Sequence, residues 1–346
     1  MSRTKKRAVF GLVLSVLVTS ALLSLEYEPF RTVLPIPPIL EDENPETPEM
    51  EITLTAGRGK RAFFRDVATP TLGYNGDYLG PTIRVEREQK VLVRLENQLD
   101  EVTTLHWHGL HVPGEMDGGP HQTIDPGEVW LPHFAINQPA ATLWYHPHAL
   151  GKTGKQVYSG MAGLFIIDDE ESGKLGLPDK YGVTDIPLII QDRRFDANGA
   201  FVYVRSMPDV MHGVIGNYIL VNGVIKPFVE TTSSIVRFRI LNGSNASLYR
   251  ISFDENTFMF IASDGGFIEK PIAMGNLVLS PGERAEVLLD LSAAASGEEI
   301  LLRVEEYNGA TFDAMKIRVI SAETNTSVPR IDEIDAVRVW NMRIPG

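Results

Sequence analysis

The chain has 346 residues, 43% of them hydrophobic, which is enough for two domains with full cores and excludes a disordered chain. Its formal charge of −13 argues against nucleic acid and anionic membrane surfaces as partners, because both would repel it. It contains no cysteine, so its own residues cannot form disulfides, thiolate nucleophiles, zinc–thiolate sites, iron–sulfur clusters or a thiolate-ligated copper centre.

The N-terminus has the pattern of an export signal. Positively charged residues precede an apolar run at residues 8–25, and the first acidic residue is Glu26. Residues 1–25 are therefore predicted to be a signal peptide, with a retained N-terminal membrane anchor as the alternative, because the run is just long enough to span a bilayer. Both interpretations place the body of the protein outside the cytoplasm, in the periplasm or the extracellular space. Residues 26–50 are Pro-rich and acidic, and we expect an extended linker there.

Short runs rich in β-branched residues, or alternating with period two, follow along the rest of the chain and are bounded by Gly, Pro, Asn and Asp. They predict strands at residues 82–86, 91–95, 163–168, 186–191, 235–241, 249–253, 286–290 and 300–304. No long amphipathic helical pattern lies between them, so an all-β sandwich class is predicted. The spacing of Val157 and Met161 allows one short helix, with a glycine-rich loop as the equal alternative.

An internal repeat indicates two similar domains in tandem. The first copy is Asn75-Gly76, Pro81, Arg94 with Asn97, and Pro126-Gly127-Glu128; the second is Asn222-Gly223, Pro227, Arg239 with Asn242, and Pro281-Gly282-Glu283. Gly, Pro and charged residues interrupt the strand pattern between the copies. We therefore expect a first domain at residues 51–170, a linker at 171–184 and a second domain at 185–320. Residues 321–346 are expected to be a linker and the start of a third domain.

Two clusters of histidines carry the main functional signal. LHWHGLHVPGEMDGG contains His106 and His108, and LWYHPHALG contains His146 and His148. Residues i and i+2 of a strand project from the same face, so each pair would present two imidazoles side by side and two such strands could hold a metal cluster. Imidazole suits copper, zinc, iron and nickel, so the spacing alone leaves the metal open. The other histidines (His111, His121, His133 and His212) are assigned no role.

The sequences around these histidines, TLHWHGLHVPGEMDGGP and QPAATLWYHPHALGKTGKQVYSGMAGLFII, resemble the N-terminal copper motifs of bacterial multicopper oxidases related to cuprous oxidases and laccases. YNGDYLGPTIRV in the first repeat, and RFRILNGSNA, IASDGG and PGERAEVLLDL in the second, extend the resemblance. It implies two cupredoxin-like Greek-key β-sandwich domains in tandem, with half of a trinuclear copper site in the first and no copper ligand in the second.

By this resemblance, His106 would bind the type 2 copper, and His108, His146 and His148 the type 3 pair that binds dioxygen. Asp117 would be a catalytic carboxylate that holds a water or a proton near the cluster. The alternative for Asp117 is a turn residue before Gly118-Gly119.

The resemblance also sets a limit. The family's type 1 copper site and its remaining trinuclear ligands lie on His-Pro-x-His-x-His and His-Cys-His motifs, and neither occurs in these residues. The chain is therefore expected to be part of a truncated or split multicopper oxidase, inactive alone, with a partner chain as one source of a third cupredoxin domain. The complete enzyme would couple one-electron oxidation of a small reducing substrate to reduction of dioxygen to water. The alternatives are a non-catalytic periplasmic cupredoxin scaffold and a copper-binding or copper-delivery module.

Overall fold

Alternating burial along the strands builds two β-sandwiches in the computed structural model, which describes residues 25–323. In β1, for instance, Ile52, Leu54 and Ala56 point into the core while the residues between them are half-exposed. Residues 1–24 of the predicted leader and residues 324–346 of the stretch predicted to open a third domain lie outside the described residues. No helix between residues 25 and 323 is long and apolar enough to cross a membrane.

The first sandwich is formed by two sheets that enclose a core of aliphatic and aromatic side chains. One sheet has the order β2-β1-β4-β6 with β7 also paired to β4, and the other has the order β3-β9-β8-β5. Its strands are β1 (Glu49–Phe64), β2 (Val67–Tyr74), β3 (Ile83–Glu86), β4 (Lys90–Asn97), β5 (His106–His108), β6 (Val129–Trp130), β7 (His133–Ala135), β8 (Ala141–His146) and β9 (Gly163–Asp168).

The second sandwich repeats this plan with its own core. Its sheets have the orders β12-β11-β10-β14-β19-β16-β17 and β13-β21-β20-β15-β18. The strands are β10 (Asp185–Arg193), β11 (Tyr218–Val221), β12 (Val224–Ile225), β13 (Phe228–Ser233), β14 (Ile235–Asn242), β15 (Tyr249–Phe253), β16 (Phe258–Ser263), β17 (Gly266–Met274), β18 (Leu277–Leu279), β19 (Arg284–Asp290), β20 (Glu299–Glu306) and β21 (Thr311–Glu323).

The predicted all-β class is confirmed, and each of the eight predicted runs is a strand within three residues of its predicted ends. A short helix, α1 (Thr153–Ser159), forms at the GKTGKQVYSGMAG segment and ends at Gly160, whose φ of 123° suits glycine. Two further helices, α2 (Glu170–Gly173) and α3 (Met207–His212), and a 3₁₀ turn at Gly114–Met116 complete the structure of the described residues.

The internal repeat is visible as matching turns in the two sandwiches. Asn97 in the first donates its side-chain amide to the Ile124 carbonyl at 2.8 Å, and Asn242 in the second donates to the Leu279 carbonyl at 2.9 Å. The backbone N–H of Gly127 then donates to the Asn97 carbonyl, just as that of Gly282 donates to the Asn242 carbonyl. Two buried asparagines therefore hold the same Pro-Gly-Glu turn in each sandwich.

A buried polar network joins the two sandwiches. Arg239 donates to Asp185 at 2.7 Å, to Glu286 at 3.0 Å and to the Thr142 hydroxyl at 2.8 Å, and Thr142 in turn donates to Glu286 at 2.6 Å. Arg237 forms a second ion pair with Glu286. Since Thr142 is in β8 of the first sandwich and the other groups are in the second, the network fixes the orientation of the strand that carries His146.

The Pro-rich segment before β1 is extended and lies across both sandwiches. Leu34 is buried in the core of the second sandwich, and its N–H donates to the Phe228 carbonyl at 2.7 Å. Farther along, the N–H of Leu40 donates to the Thr82 carbonyl of the first sandwich at 2.8 Å. Residues 25–48, which we call the strap, thus contact both domains.

Candidate metal centre

The pairing of β5 with β8 brings the two histidine clusters together. The strands are antiparallel, with His106 opposite His146 and His108 opposite Trp144. Because side chains alternate across a sheet, Trp107 and Tyr145 point the other way and are buried in the core of the first sandwich. The alternation thus puts His106, His108 and His146 on one face, and His148 follows just beyond the end of β8.

Three of these histidines form a compact set of nitrogen donors. One ring nitrogen each of His106, His108 and His146 lies within 4.8 Å of the other two. Nδ1 of His108 is 3.2 Å from Nε2 of His146, which matches two ligands of one ion at about 2.0 Å from each. The ring centroid of His148 lies 5.2 Å from that of His106 and 5.9 Å from that of His146. The structure therefore brings together all four predicted histidines, three of them as a tight group.

Backbone carbonyls select which nitrogen of two rings carries a proton. Nδ1 of His146 lies 2.8 Å from the Pro147 carbonyl oxygen, and Nδ1 of His106 lies 3.0 Å from that of Asp117. A carbonyl only accepts, so each Nδ1 is the donor and each Nε2 keeps a lone pair. Such outer hydrogen bonds are the usual support of metal-binding imidazoles.

The environment keeps two of the imidazoles neutral. The pKa of His146 is lowered to about 3, because burial and the neighbouring histidines outweigh the hydrogen bond to the Pro147 carbonyl, which raises it. The pKa of His108 is lowered to about 4, mainly by burial and next by the positive charge of Arg284. A neutral imidazole is the form that binds metal, so both rings are available as ligands at physiological pH. Trp144 stacks on His146 with ring centroids 4.1 Å apart and shields it on one side.

Asp117 lies beside His106, at the end of the 3₁₀ turn. Its carboxylate Oδ1 is 3.4 Å from Nδ1 of His106, and its carbonyl accepts from Nδ1 and from the N–H of Trp107. The next residue, Gly118, has φ of 72°, and a Cβ built on it would lie 1.6 Å from the Leu105 carbonyl oxygen. The turn thus needs glycine at position 118 to bring Asp117 to the histidine.

The other histidines lie apart from this group. His111, His121, His133 and His212 are all exposed, and within residues 25–323 the only group of three or more candidate metal ligands is the one described above. One nearby residue was missed by the sequence reasoning. Arg284 belongs to the second sandwich, yet its guanidinium reaches β8 and donates to the Thr142 carbonyl at 3.1 Å. Its motif, PGERAEVLLDL, was noticed as part of the resemblance, but no sequence pattern showed that it meets the histidines.

The known proteins that are similar to this chain include a multicopper oxidase and a cell division protein. The chain is 41% identical over 267 residues to the multicopper oxidase mco of Staphylococcus haemolyticus, covering 77% of this chain and 58% of that protein. It is 42% identical over 280 residues to the cell division protein FtsP of Edwardsiella tarda, covering 81% and 57%. The chain thus spans a little under three-fifths of the length of these two relatives.

Solved structures and family models point the same way. A laccase-like multicopper oxidase, CueO of Ochrobactrum sp., superposes with a TM-score of 0.80 at 40% identity, over 88% of this chain and 66% of that one. A laccase of Pediococcus acidilactici gives a TM-score of 0.78 at 37% identity, covering 86% and 65%. Residues 56–172 and 219–328 each match a family model described as multicopper oxidase. The chain therefore belongs to the multicopper oxidase family.

Proposed function

We propose that His106, His108, His146 and His148 form one half of a trinuclear copper centre. The observation that carries the proposal is the 3.2 Å approach of Nδ1 of His108 to Nε2 of His146, with a third nitrogen, from His106, within 4.8 Å. Imidazole nitrogens are suitable ligands for copper in either of its common oxidation states. His108 and His146 would share one copper of the type 3 pair, while His148 would serve the other and His106 the type 2 ion.

Copper at such a centre would supply the electrons that reduce dioxygen to water. The residues of this chain would hold the imidazole rings in place and position a proton or a water. The Pro147 and Asp117 carbonyls hold the rings of His146 and His106 with Nε2 free. The carboxylate of Asp117, partly exposed beside Nδ1 of His106, is placed to hold a proton or a water close to the centre, which suits a reaction that consumes protons. We therefore propose that Asp117 acts on protons and is not itself a metal ligand.

Electron entry needs residues that these 346 do not contain. The sequence has no cysteine, and a blue copper site requires a thiolate. We propose that a further cupredoxin domain or a partner chain supplies that site and the rest of the trinuclear ligands, and that these residues alone do not turn over substrate. The substrate would then be a small reductant bound elsewhere. We also propose that the protein is exported, on the pattern of its first 25 residues.

Similarity to FtsP favours a second function. FtsP of Edwardsiella tarda, named as a cell division protein, is as similar to this chain as the multicopper oxidases are. A scaffold that keeps the fold without redox chemistry would have no need of metal. The close group of His106, His108 and His146, two of which, His108 and His146, are kept neutral, argues for copper binding over that role. A copper-delivery module is the intermediate case, in which copper binds to the half-site and leaves it.

Copper titration of the purified chain separates these functions. We expect wild type to bind copper, with affinity falling at least about tenfold in His108→Ala and in His146→Ala, because each removes a ligand. His121→Ala is the matched control, since His121 is exposed in the same sandwich. Electron paramagnetic resonance would report nitrogen ligation of Cu(II). Equal copper uptake by wild type and the ligand variants would contradict the proposal, and no copper uptake by wild type would favour the scaffold.

Transfer of bound copper distinguishes the half-site from a delivery module. Rapid loss of Cu(I) to a chelator of matched affinity would indicate delivery. Slow loss, together with oxidase activity that appears only when a chain carrying the missing domain is added, would indicate the half-site of an oxidase.

A further inference from the structure

A turn of the second sandwich lies against the histidine centre. A Cβ built on Gly282 would be 3.4 Å from Cε1 and 3.8 Å from Nε2 of His108, and 3.5 Å from the ring of Trp144. The backbone of this Pro281-Gly282-Glu283 turn therefore faces the Cε1–Nε2 edge of the His108 ring, next to Nδ1, the atom that faces His146. Since Gly282 has φ of 84°, the turn is shaped to bring backbone, without a side chain, next to the imidazole.

Arg284 fixes this turn to the strands that carry the histidines. Its Nη1 donates to the Gly282 carbonyl at 3.0 Å, and its Nε donates to the Thr142 carbonyl in β8 at 3.1 Å. Nη2 lies so close to Gly109, the residue after His108, that a Cβ there would be only 2.8 Å away. One guanidinium thus touches the turn, β8 and the end of β5, with 3% of its side chain exposed.

The guanidinium is itself held in place by the IASDGG segment. Asp264 forms an ion pair with Nη1 of Arg284 at 2.8 Å and accepts from the Arg284 N–H at 2.7 Å. The Asp264 carbonyl accepts from Nη2 at 2.9 Å. With its hydrogen bonds spread over two domains, the planar fork of arginine has a geometry that the single ammonium of lysine does not reproduce.

We propose that Arg284 is a positioning residue of the copper centre, which holds the Gly282 turn against His108 so that Nδ1 of this ring faces Nε2 of His146. This inference rests on the proposed copper half-site and extends it, because it makes the second domain, which has no ligand of its own, a wall of that site. Copper affinity at His108 and His146 then depends on a contact made across the domain interface.

The two copies of the Pro-Gly-Glu turn provide a matched pair of variants. Gly127 and Gly282 have φ of 83° and 84°, so alanine strains the backbone equally at either position. A Cβ on Gly127 would meet nothing within 4 Å, whereas one on Gly282 would contact the His108 ring at 3.4 Å. We expect Gly282→Ala to lower copper affinity at least about tenfold, the usual effect of disturbing the support of a ligand, and Gly127→Ala to leave it unchanged.

A second pair tests Arg284 directly. Arg284→Lys keeps the charge and loses the planar guanidinium, while Arg303→Lys makes the same change in an arginine whose partners, Asp254 and Asp313, both belong to the second sandwich. We expect only Arg284→Lys to lower copper affinity and to alter the ¹⁵N resonances of the His108 ring in copper-free protein, assigned by their loss in His108→Asn. Arg303→Lys reports the effect of the same change where both ion pairs lie within one sandwich.

The results separate the two proposals. If wild type binds copper but Gly282→Ala and Arg284→Lys match their controls in affinity and ring resonances, the positioning role is wrong. If wild type binds no copper, the half-site is wrong, and the ring resonances of copper-free protein still decide whether Arg284 orders His108. Should Arg284→Lys fail to fold, the glycine pair decides the question.

Discussion

Glu306 is expected to make the stability of the second sandwich fall as the pH rises through neutrality. It ends β20, is 3% exposed, and accepts from the Asn308 side chain through one carboxylate oxygen at 3.0 Å. Its other oxygen has no hydrogen-bond partner among the described residues. Burial, and then the neighbouring carboxylate of Asp192, raise the pKa of Glu306 from 4.5 to about 7.

The direction and size of the effect follow from this pKa. A carboxyl group whose pKa is higher in the folded protein binds its proton more tightly there, so its stabilisation is complete below about pH 4.5 and is lost as the pH rises through about 7. The difference between the pKa values of 4.5 and about 7 corresponds to about 3.4 kcal/mol of unfolding free energy in total. Of this, about 2.6 kcal/mol is lost between about pH 5 and 8.5.

Comparison with Glu306→Gln isolates this group from all others. Glutamine has nearly the same shape, still accepts from Asn308 and does not titrate. Urea unfolding, followed through the transition of the second domain at several pH values, should show the variant gaining about 2.6 kcal/mol over wild type between pH 5 and 8.5. A difference between the two proteins that stays constant with pH would refute the reasoning. His108 and His146, whose lowered pKa values act in the opposite direction between about pH 3 and 6.5, are present in both proteins and cancel.

Three further substitutions test the domain interface, the turn at Asp117 and the strap. Arg239→Met should destabilise the protein by about 3–5 kcal/mol in thermal unfolding, because Asp185 is left charged, buried and without its closest partner. Gly118→Ala should move the Asp117 carbonyl away from His106, because the new Cβ would clash with the Leu105 carbonyl, and copper titration should show weakened binding. Leu34→Ala should cost about 2–5 kcal/mol by opening a cavity in the second core, measured by urea unfolding.

Each of these substitutions has a control that makes the same type of change at a position without the contact being tested. Arg250→Met replaces an exposed arginine, Gly119→Ala adds a Cβ that meets nothing closer than 3.8 Å, and Val33→Ala trims a side chain that is 61% exposed. We expect changes within about 0.5 kcal/mol for the two stability controls and unchanged copper binding for Gly119→Ala. Equal effects in a variant and its counterpart would show that the contact assigned to that residue is unimportant.

The sequence predicted the strands and the histidine group because both depend on local alternation. His106 and His108 are two residues apart, so their common face follows from strand geometry, and only the pairing of β5 with β8 had to come from the fold. The contact of Arg284 with Thr142 joins residues 142 positions apart in the sequence. No periodicity encodes such a contact. The motif that contains Arg284 could be recognised in the sequence, but the residues that Arg284 contacts could not.

The Pro-rich segment illustrates a different limit. Its composition predicted an extended conformation, and the strap is extended because proline fixes φ and removes hydrogen-bond donors. Composition could not predict that Leu34 would be buried, because burial depends on a groove formed by residues that lie far along the chain. The boundaries expected for the individual domains remain predictions.

The strap has a mechanical consequence. The chain passes between the sandwiches once from β9 to β10, through the segment that contains α2, and the strap crosses the same boundary a second time, from Leu34 to Leu40. Two bodies joined at one point can rotate about it, whereas two bodies joined at two separated points cannot rotate freely unless one attachment detaches. The relative orientation of the sandwiches is therefore set by contacts within the described residues. A domain or chain that completed the proposed copper centre would meet a preformed surface, and little of its binding energy would be spent on ordering it.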